Sequence, residues 1–229
     1  MVKKSKTPFI RDVNLAYLTK KARKTKPDGF PIIEKWMVST KIPKNVYQWD
    51  RRQDVIEDPK DIAMSFYCND PGFTPILGNP KGYLEKLKKY GMVIGLDASP
   101  YDNMPLVVQK SQIFLNLAIT FYYGFNGIKV IPNVRLGNDD TLSSLDAYPS
   151  GTIISIGTNG FTWKLENREI FKRQVEKIID KLKPSGIIVY GPVSDYIFSR
   201  AIELEIPIYQ YDSYTMIENK KDRDKKNER

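Results

Sequence analysis

The segment Gly95-Leu96-Asp97-Ala98-Ser99-Pro100-Tyr101-Asp102-Asn103-Met104-Pro105 sets two carboxylates and a hydroxyl between a β-branched apolar run and a long apolar stretch. Loops that leave the carboxyl ends of strands are where α/β proteins concentrate their chemistry. Asp97 and Asp102 are therefore candidates for acid/base work or divalent-metal ligation, joined by Asp212 beyond a later strand-like run. Each also has a plainer reading. Asp97 with Ser99 fits an Asx-type turn, and Asp102 or Asn103 fits the cap of a helix with Pro105 in its first turn.

Other polar residues fall at the ends of later apolar runs. Asn133 and Arg135 follow the second, Thr158, Asn159 and Gly160 the third, Gly191, Ser194 and Asp195 the fourth, and Tyr211, Asp212 and Ser213 the last. From these, Ser99, Asn133, Arg135, Thr158, Asn159 and Gly191 form the candidate ligand-binding set. Arg135 offers a two-pronged donor to a carboxylate or phosphate, and alternation puts Asn133 on the same face. A salt bridge from Arg135 to Asp97, Asp139 or Asp212 is the equal alternative. Ser194 reads more readily as a helix cap than as a nucleophile, and Asn159-Gly160 is as much a turn signal as an anion cradle. There is no phosphate-loop or dinucleotide fingerprint.

The elements that must position these residues alternate in type. Strand-like runs at Ile62–Tyr67, Met92–Leu96, Ile128–Val134, Thr152–Ile156, Gly186–Tyr190 and Pro207–Tyr211 have little polar alternation, as expected of strands covered on both faces. Helical stretches fit at Tyr83–Tyr90, Pro105–Phe125, Leu142–Asp146, Glu166–Leu182 and Ser194–Glu203. The pattern predicts an α/β fold with a mostly parallel sheet, as an open doubly wound sheet or an incomplete barrel, and a basic N-terminal extension. Residues 1–50 read as a basic arm and a wrapping extension with Trp36 and Trp49 as anchors, 51–217 as one α/β domain, and 218–229 as a flexible charged tail. Arg11–Lys24 suggests a basic helix with Val13, Tyr17 and Leu18 on its apolar side. On the Pro105–Phe125 helix, Gln109, Gln112, Asn116 and Tyr123 form a polar stripe, expected to face solvent or else to line a pocket, while Met104, Phe114, Leu117 and Phe121 belong to the core.

Composition narrows the chemistry. The chain has no histidine and one cysteine, Cys68, which removes histidine triads, cysteine-based zinc sites and intramolecular disulfides. No metal-binding set is assigned, although a divalent metal on carboxylates stays open. Net charge is +9, yet residues 1–26 hold nine Lys/Arg against one Asp and residues 218–229 hold six against four Asp/Glu, which leaves 21 basic and 22 acidic residues in 27–217. The clustered Lys3, Lys4, Lys6, Lys20, Lys21, Arg23, Lys24 and Lys26 suit non-specific, salt-sensitive contact with nucleic acid. A solvated arm is the bland alternative. No apolar leader follows the basic N-terminus and Gln109, Lys110, Gln112 and Asn116 interrupt the most apolar helix, so no membrane segment is expected.

Asn79-Pro80 with Tyr83-Leu84, Leu96-Asp97-Ala98-Ser99, Tyr101-Asp102-Asn103-Met104-Pro105 with Gln109, Val130-Ile131-Pro132-Asn133-Val134-Arg135, Thr158-Asn159-Gly160 and Val189-Tyr190-Gly191 together resemble domain of unknown function 4417. The resemblance covers about residues 60–212. It implies an accessory protein of a phage or mobile element, working in the cytoplasm of a bacterial host, with Asp97–Pro105 and Asn133–Arg135 in a shared site. This chain departs from the family pattern at Leu115 and Leu117, where Arg is common, at Leu136 in place of an aromatic, and at Asn159 in place of His. These departures favour a shared scaffold over a shared catalytic mechanism. The expectation is a nucleic-acid-associated accessory protein with a ligand or partner site at the sheet edge. The alternatives are a carboxylate-based, metal-assisted hydrolase or transferase on a phosphate- or sugar-containing substrate, and an inhibitor that binds a host protein.

Overall fold

The computed structural model describes residues 15–158 and 165–227. Its strands are β1 (Val46–Gln48), β2 (Ala63–Ser65), β3 (Met92–Ile94), β4 (Val130–Ile131), β5 (Ile153–Gly157), β6 (Gly186–Tyr190) and β7 (Ile208–Tyr211). All pairings are parallel, β1 to β4 in one sheet and β5 to β7 in another. The two sheets are joined beyond β4, where Val134 N donates to Ser155 O at 3.0 Å and Ser155 N to Pro132 O at 2.8 Å. Neighbours in space thus follow neighbours in sequence throughout. A doubly wound sheet reverses its order at a switch point; this one never does, so right-handed crossovers carry its helices to one face and leave the other to curl on itself. The result is an incomplete barrel. Among the described residues β1 and β7 are not paired as strands, and the Tyr211 hydroxyl donates to the Pro43 carbonyl across that side at 2.5 Å.

Burial on both faces explains the uninterrupted apolar runs. Val46, Ala63, Met92, Ile94, Ile131, Ile153 and Ile188 pack together inside the curl. Val93, Val130, Ile154, Ile156, Ile187 and Val189 pack outward, against the helices. The helices are α1 (Asp70–Gly78), α2 (Pro80–Leu87), α3 (Leu106–Phe125), α4 (Leu165–Leu182), α5 (Ser199–Glu203) and α6 (Tyr214–Asn227). On α4 the buried residues Phe171, Val175, Ile178, Ile179 and Leu182 recur at helical spacing, each worth about 1.5–3 kcal/mol of burial. No helix among the described residues is long and apolar enough to cross a membrane.

Several local expectations are corrected. β1 lies in the proline-rich stretch read as a wrapping extension, and α1 forms despite Pro71, Gly72, Pro75 and Gly78, whose breaker character hid it. Where a basic helix was expected the described chain has only the 3-10 turn Ala16–Thr19, with Leu15 and Leu18 buried and Tyr17 exposed. Val13 lies outside the described residues. Trp49 is buried as an anchor but Trp36 is 56% exposed. The cap position of α3 is Pro105 itself, with no side-chain hydrogen bond, so neither Asp102 nor Asn103 caps it. α5 starts only at Ser199 with Phe198 in its cap position, so Ser194 does not cap it. α6 occupies most of the expected flexible tail, with Lys221 bonded to Glu218 one turn away.

Candidate functional site

Successive inward positions change character along the strands. A period of two places Ala63, Ser65 and Tyr67 on the inner face from β2, Ile131, Asn133 and Arg135 from β4, Ile153, Ser155 and Gly157 from β5, and Ile188 and Tyr190 from β6. The interior is apolar at the amino ends of the strands and polar at the carboxyl ends. Above the polar layer opens a cleft of about 610 Å³ whose walls include Gln48, Asp50, Arg51, Asp97, Ser99 and Tyr101. Parallel barrels and open α/β sheets keep their sites at this edge.

The cleft floor is one connected network. Arg135 Nε donates to Asp97 Oδ1 at 2.6 Å and its terminal nitrogen to Oδ2 at 2.8 Å. Asn133 Nδ2 donates to the same Oδ1 at 2.7 Å and to the Leu96 carbonyl at 3.0 Å. The Tyr67 hydroxyl donates to Asn133 Oδ1 at 2.9 Å and lies 2.7 Å from Ser155 Oγ, which in turn reaches the Ile188 carbonyl at 3.2 Å. Five successive strands, β2 to β6, are thereby tied together. Of the three salt bridges open to Arg135, the one to Asp97 forms; Asp139 pairs with Lys177 and Asp212 with Lys220.

Electrostatics follow from burial. Desolvation works against the Arg135 charge, but the attraction and hydrogen bonds of Asp97 outweigh it and hold the guanidinium above its ordinary value. Burial, reinforced by the Asp97 charge, pushes the Tyr67 phenol far up, and burial does the same to Tyr190. Both phenols stay neutral, Tyr67 donating to Asn133 and Tyr190 accepting from Tyr214 N. They stack with centroids 4.9 Å apart and planes 6° from parallel. Gly157 permits this approach, since a Cβ there would lie 2.7 Å from Tyr67 Cε1.

Two members of the α3 polar stripe, Gln109 and Asn116, neither face solvent nor line the cleft; they clamp the Asp97–Pro105 loop. Gln109 is fully buried, with Nε2 donating to the Asp102 and Met104 carbonyls at 3.1 and 2.7 Å and Oε1 accepting from Asn138 N at 2.8 Å. Asn116 accepts from Ala98 N at 2.9 Å and donates to Ala98 O at 2.8 Å, replacing the hydrogen bonds of a strand neighbour. Tyr123 is also buried, and its hydroxyl donates to the Pro80 carbonyl at 3.3 Å.

The candidates named from sequence therefore separate. Asp97, Ser99 and Arg135 line the cleft and Asn133 supports it from below. Asp102 is exposed and Asp212 is half-buried beside Lys220 at 2.5 Å; neither belongs to the cleft walls. Thr158 is buried, its N bonded to the Tyr190 carbonyl at 3.1 Å, and Gly191 N reaches the Tyr211 carbonyl at 2.9 Å. Both hold strand ends together. Asn159, Lys3, Lys4 and Lys6 lie outside the described residues. Lys20, Lys24 and Lys26 are exposed, Arg23 pairs with Glu34 at 2.8 Å, and Lys21 lies 5.1 Å from the Phe125 ring centre. Sequence reading missed Tyr67, Ser155 and Tyr190, which the inward period of two could have flagged, and Asp50 and Arg51, for which no local pattern existed. Among the described residues no group of three or more His, Cys, Asp or Glu is gathered to hold a metal.

Comparison with known proteins places these features in a wider group. The chain is 26% identical over 130 residues to the Gene 1 protein of Mycobacterium phage L5, covering 56% of this chain and 57% of the phage protein. The match thus spans little more than half of that relative. No solved structure matches the chain. The model of the family Domain of unknown function (DUF4417) matches residues 26–212, a stretch that holds every strand and the floor of the cleft, and the chain belongs to that family.

Proposed function

We propose that this chain is a phage accessory protein that binds a small polar ligand in the cleft at the carboxyl edge of its sheet and associates with nucleic acid through its basic N-terminal segment. The observation that carries the reading is the switch of the inward positions from apolar to polar just beneath an open cleft of about 610 Å³. Asp97 and Arg135 neutralise one another, and Ser99, Tyr101 and Gln48, with Asp50 and Arg51 on the same walls, recognise the ligand by hydrogen bonding, charge and ring contact. The phage setting rests on the Mycobacterium phage L5 relative, and the bacterial cytoplasm follows from it. Thermal shift with a panel of nucleosides, nucleotides and sugars tests the cleft. At least one compound raises the Tm of the parent chain and not that of Ser99→Ala/Tyr101→Ala; a panel without effect on the parent sinks the reading.

A second reading, carboxylate-based hydrolysis or transfer, is favoured by one feature. Asp50 is a further carboxylate on the cleft wall and would replace Asp102 and Asp212 as the partner of Asp97. Against it, Asp97 already accepts from Arg135 and Asn133, an arrangement that fixes a carboxylate in place. Loss of a measured turnover in Asp50→Asn with unchanged folding would support the enzyme.

A further inference from the structure

At the opposite edge, where the amino ends of β2, β3 and β4 meet, lies a second pocket of about 400 Å³ lined by Lys41, Lys60, Lys88 and Lys129, with no carboxylate among its described lining residues. Three of these ammonium groups are held in position. Lys60 Nζ donates to the Lys88 carbonyl at 2.8 Å, Lys129 Nζ to the Trp36 carbonyl at 2.7 Å, and Lys88 Nζ to Glu85 at 2.7 Å. Only Glu85 in that set offsets charge. The Ser39 hydroxyl accepts from Lys41 N at 3.1 Å and shapes the turn that carries the fourth lysine. Like charges gathered in one concavity repel unless an anion enters, so the pocket favours a phosphate-sized ligand.

The surroundings specify what bears the phosphate. Trp36, whose carbonyl holds Lys129, packs edge-on against Phe125 at 6.3 Å between ring centres, and Lys21 sits over Phe125 at 5.1 Å. Trp36 and Phe125 are 56% and 38% exposed. Lys129 of the pocket, the two accessible rings and Lys21 thus follow one another in contact, each touching the next. Lysines that track a backbone beside rings on which bases stack are the recognition chemistry of single-stranded nucleic acid.

We propose that the Lys41–Lys60–Lys88–Lys129 pocket is a phosphate subsite for single-stranded nucleic acid, with Trp36 as the stacking platform beside it. This rests on the nucleic-acid reading above and gives it an address on the folded body, opposite the ligand cleft. The test is fluorescence anisotropy of a labelled oligothymidine of about 12 nucleotides titrated with the full chain across a salt series. Lys41→Gln/Lys60→Gln/Lys129→Gln weakens binding at least tenfold and flattens the slope of log affinity against log salt by about 2, since each phosphate contact contributes about 0.7. Trp36→Ala weakens it about tenfold, and oligonucleotide quenches the Trp36 emission of the parent. Lys181→Gln, paired with Asp146 elsewhere, changes neither affinity nor slope. Lys41→Gln alone, at an exposed turn position, gives a smaller loss in the same direction should the triple variant fold poorly.

A parent that binds while the pocket variants keep its affinity within twofold overturns the subsite and leaves nucleic-acid association to the N-terminal segment. A parent that binds no oligonucleotide overturns both. Phosphatidylserine vesicles serve as the competing polyanion, and lysine-dependent binding to them without binding to oligothymidine also overturns the subsite.

Discussion

Both carboxylate oxygens of Asp97 are engaged by the guanidinium of Arg135, at 2.6 and 2.8 Å, although the two residues stand 38 positions apart in the chain. Their side chains are only 11% and 9% exposed, so each charge is held by the other more than by water. Arg135→Ala leaves Asp97 uncompensated and destabilises the fold by about 3–5 kcal/mol. Arg135→Lys keeps the charge but loses the two-pronged geometry, and its urea midpoint falls between those of parent and alanine variant.

Tyr67 joins that ion pair to the far strands through Asn133 and Ser155. Tyr67→Phe keeps the stacking on Tyr190 and removes only the hydroxyl, which costs about 1–3 kcal/mol because Asn133 Oδ1 is left buried without its donor. Tyr190→Phe costs less, since its hydroxyl serves only as acceptor for the half-buried Tyr214 N. Equal urea midpoints for the two variants would contradict this ranking.

Asn116 and Gln109 act on the loop rather than on the core. Asn116→Leu strands the Ala98 amide and carbonyl, and hydrogen exchange across residues 97–105 speeds up well before global unfolding. The same substitution at Gln112, which is half-buried, leaves that exchange unchanged.

Gly157→Ala probes packing beneath the cleft. The new Cβ would fall 2.7 Å from the Tyr67 ring, so the ring must move and the variant loses about 1–3 kcal/mol. A near-UV circular dichroism change from the displaced tyrosine pair accompanies the loss.

Acid weakens the contact of the N-terminal segment with the body. Asp28 accepts from Lys110 at 2.8 Å and Ser143 at 2.6 Å, and these bonds hold its carboxyl below the usual range. A lowered folded-state value means the contribution is complete above the ordinary carboxylate value of about 4 and is lost as pH falls through the folded one. Asp28→Asn lowers the denaturation midpoint at neutral pH and shows a shallower decline below about pH 4 than the parent.

Much of this architecture was written locally. β5, β6 and α4 are legible because their apolar periods agree with their burial, and the loop after β3 was legible as a site because a strand end and two acids coincide there. β1 and α1 were not, since Pro and Gly signals within a few residues outweighed a burial that only the assembled sheet supplies. The α3 stripe misled for a related reason: the rule that polar residues face water fails where a loop has no strand beside it and takes its hydrogen bonds from Gln109 and Asn116 instead.

The alternation of strand and helix, the absence of histidine chemistry, the uneven charge, and the common face of Asn133 and Arg135 are all written along the chain. Those follow from composition and from periods of two and 3.6 residues. The unbroken strand order, the pairing of Arg135 with Asp97 instead of Asp139 or Asp212, and the place of Asp50 rather than Asp102 in the cleft with Asp97 come from the assembled fold. Partner choice among charges distant in sequence depends on which strand ends become neighbours, and that is fixed by the packing of the whole sheet.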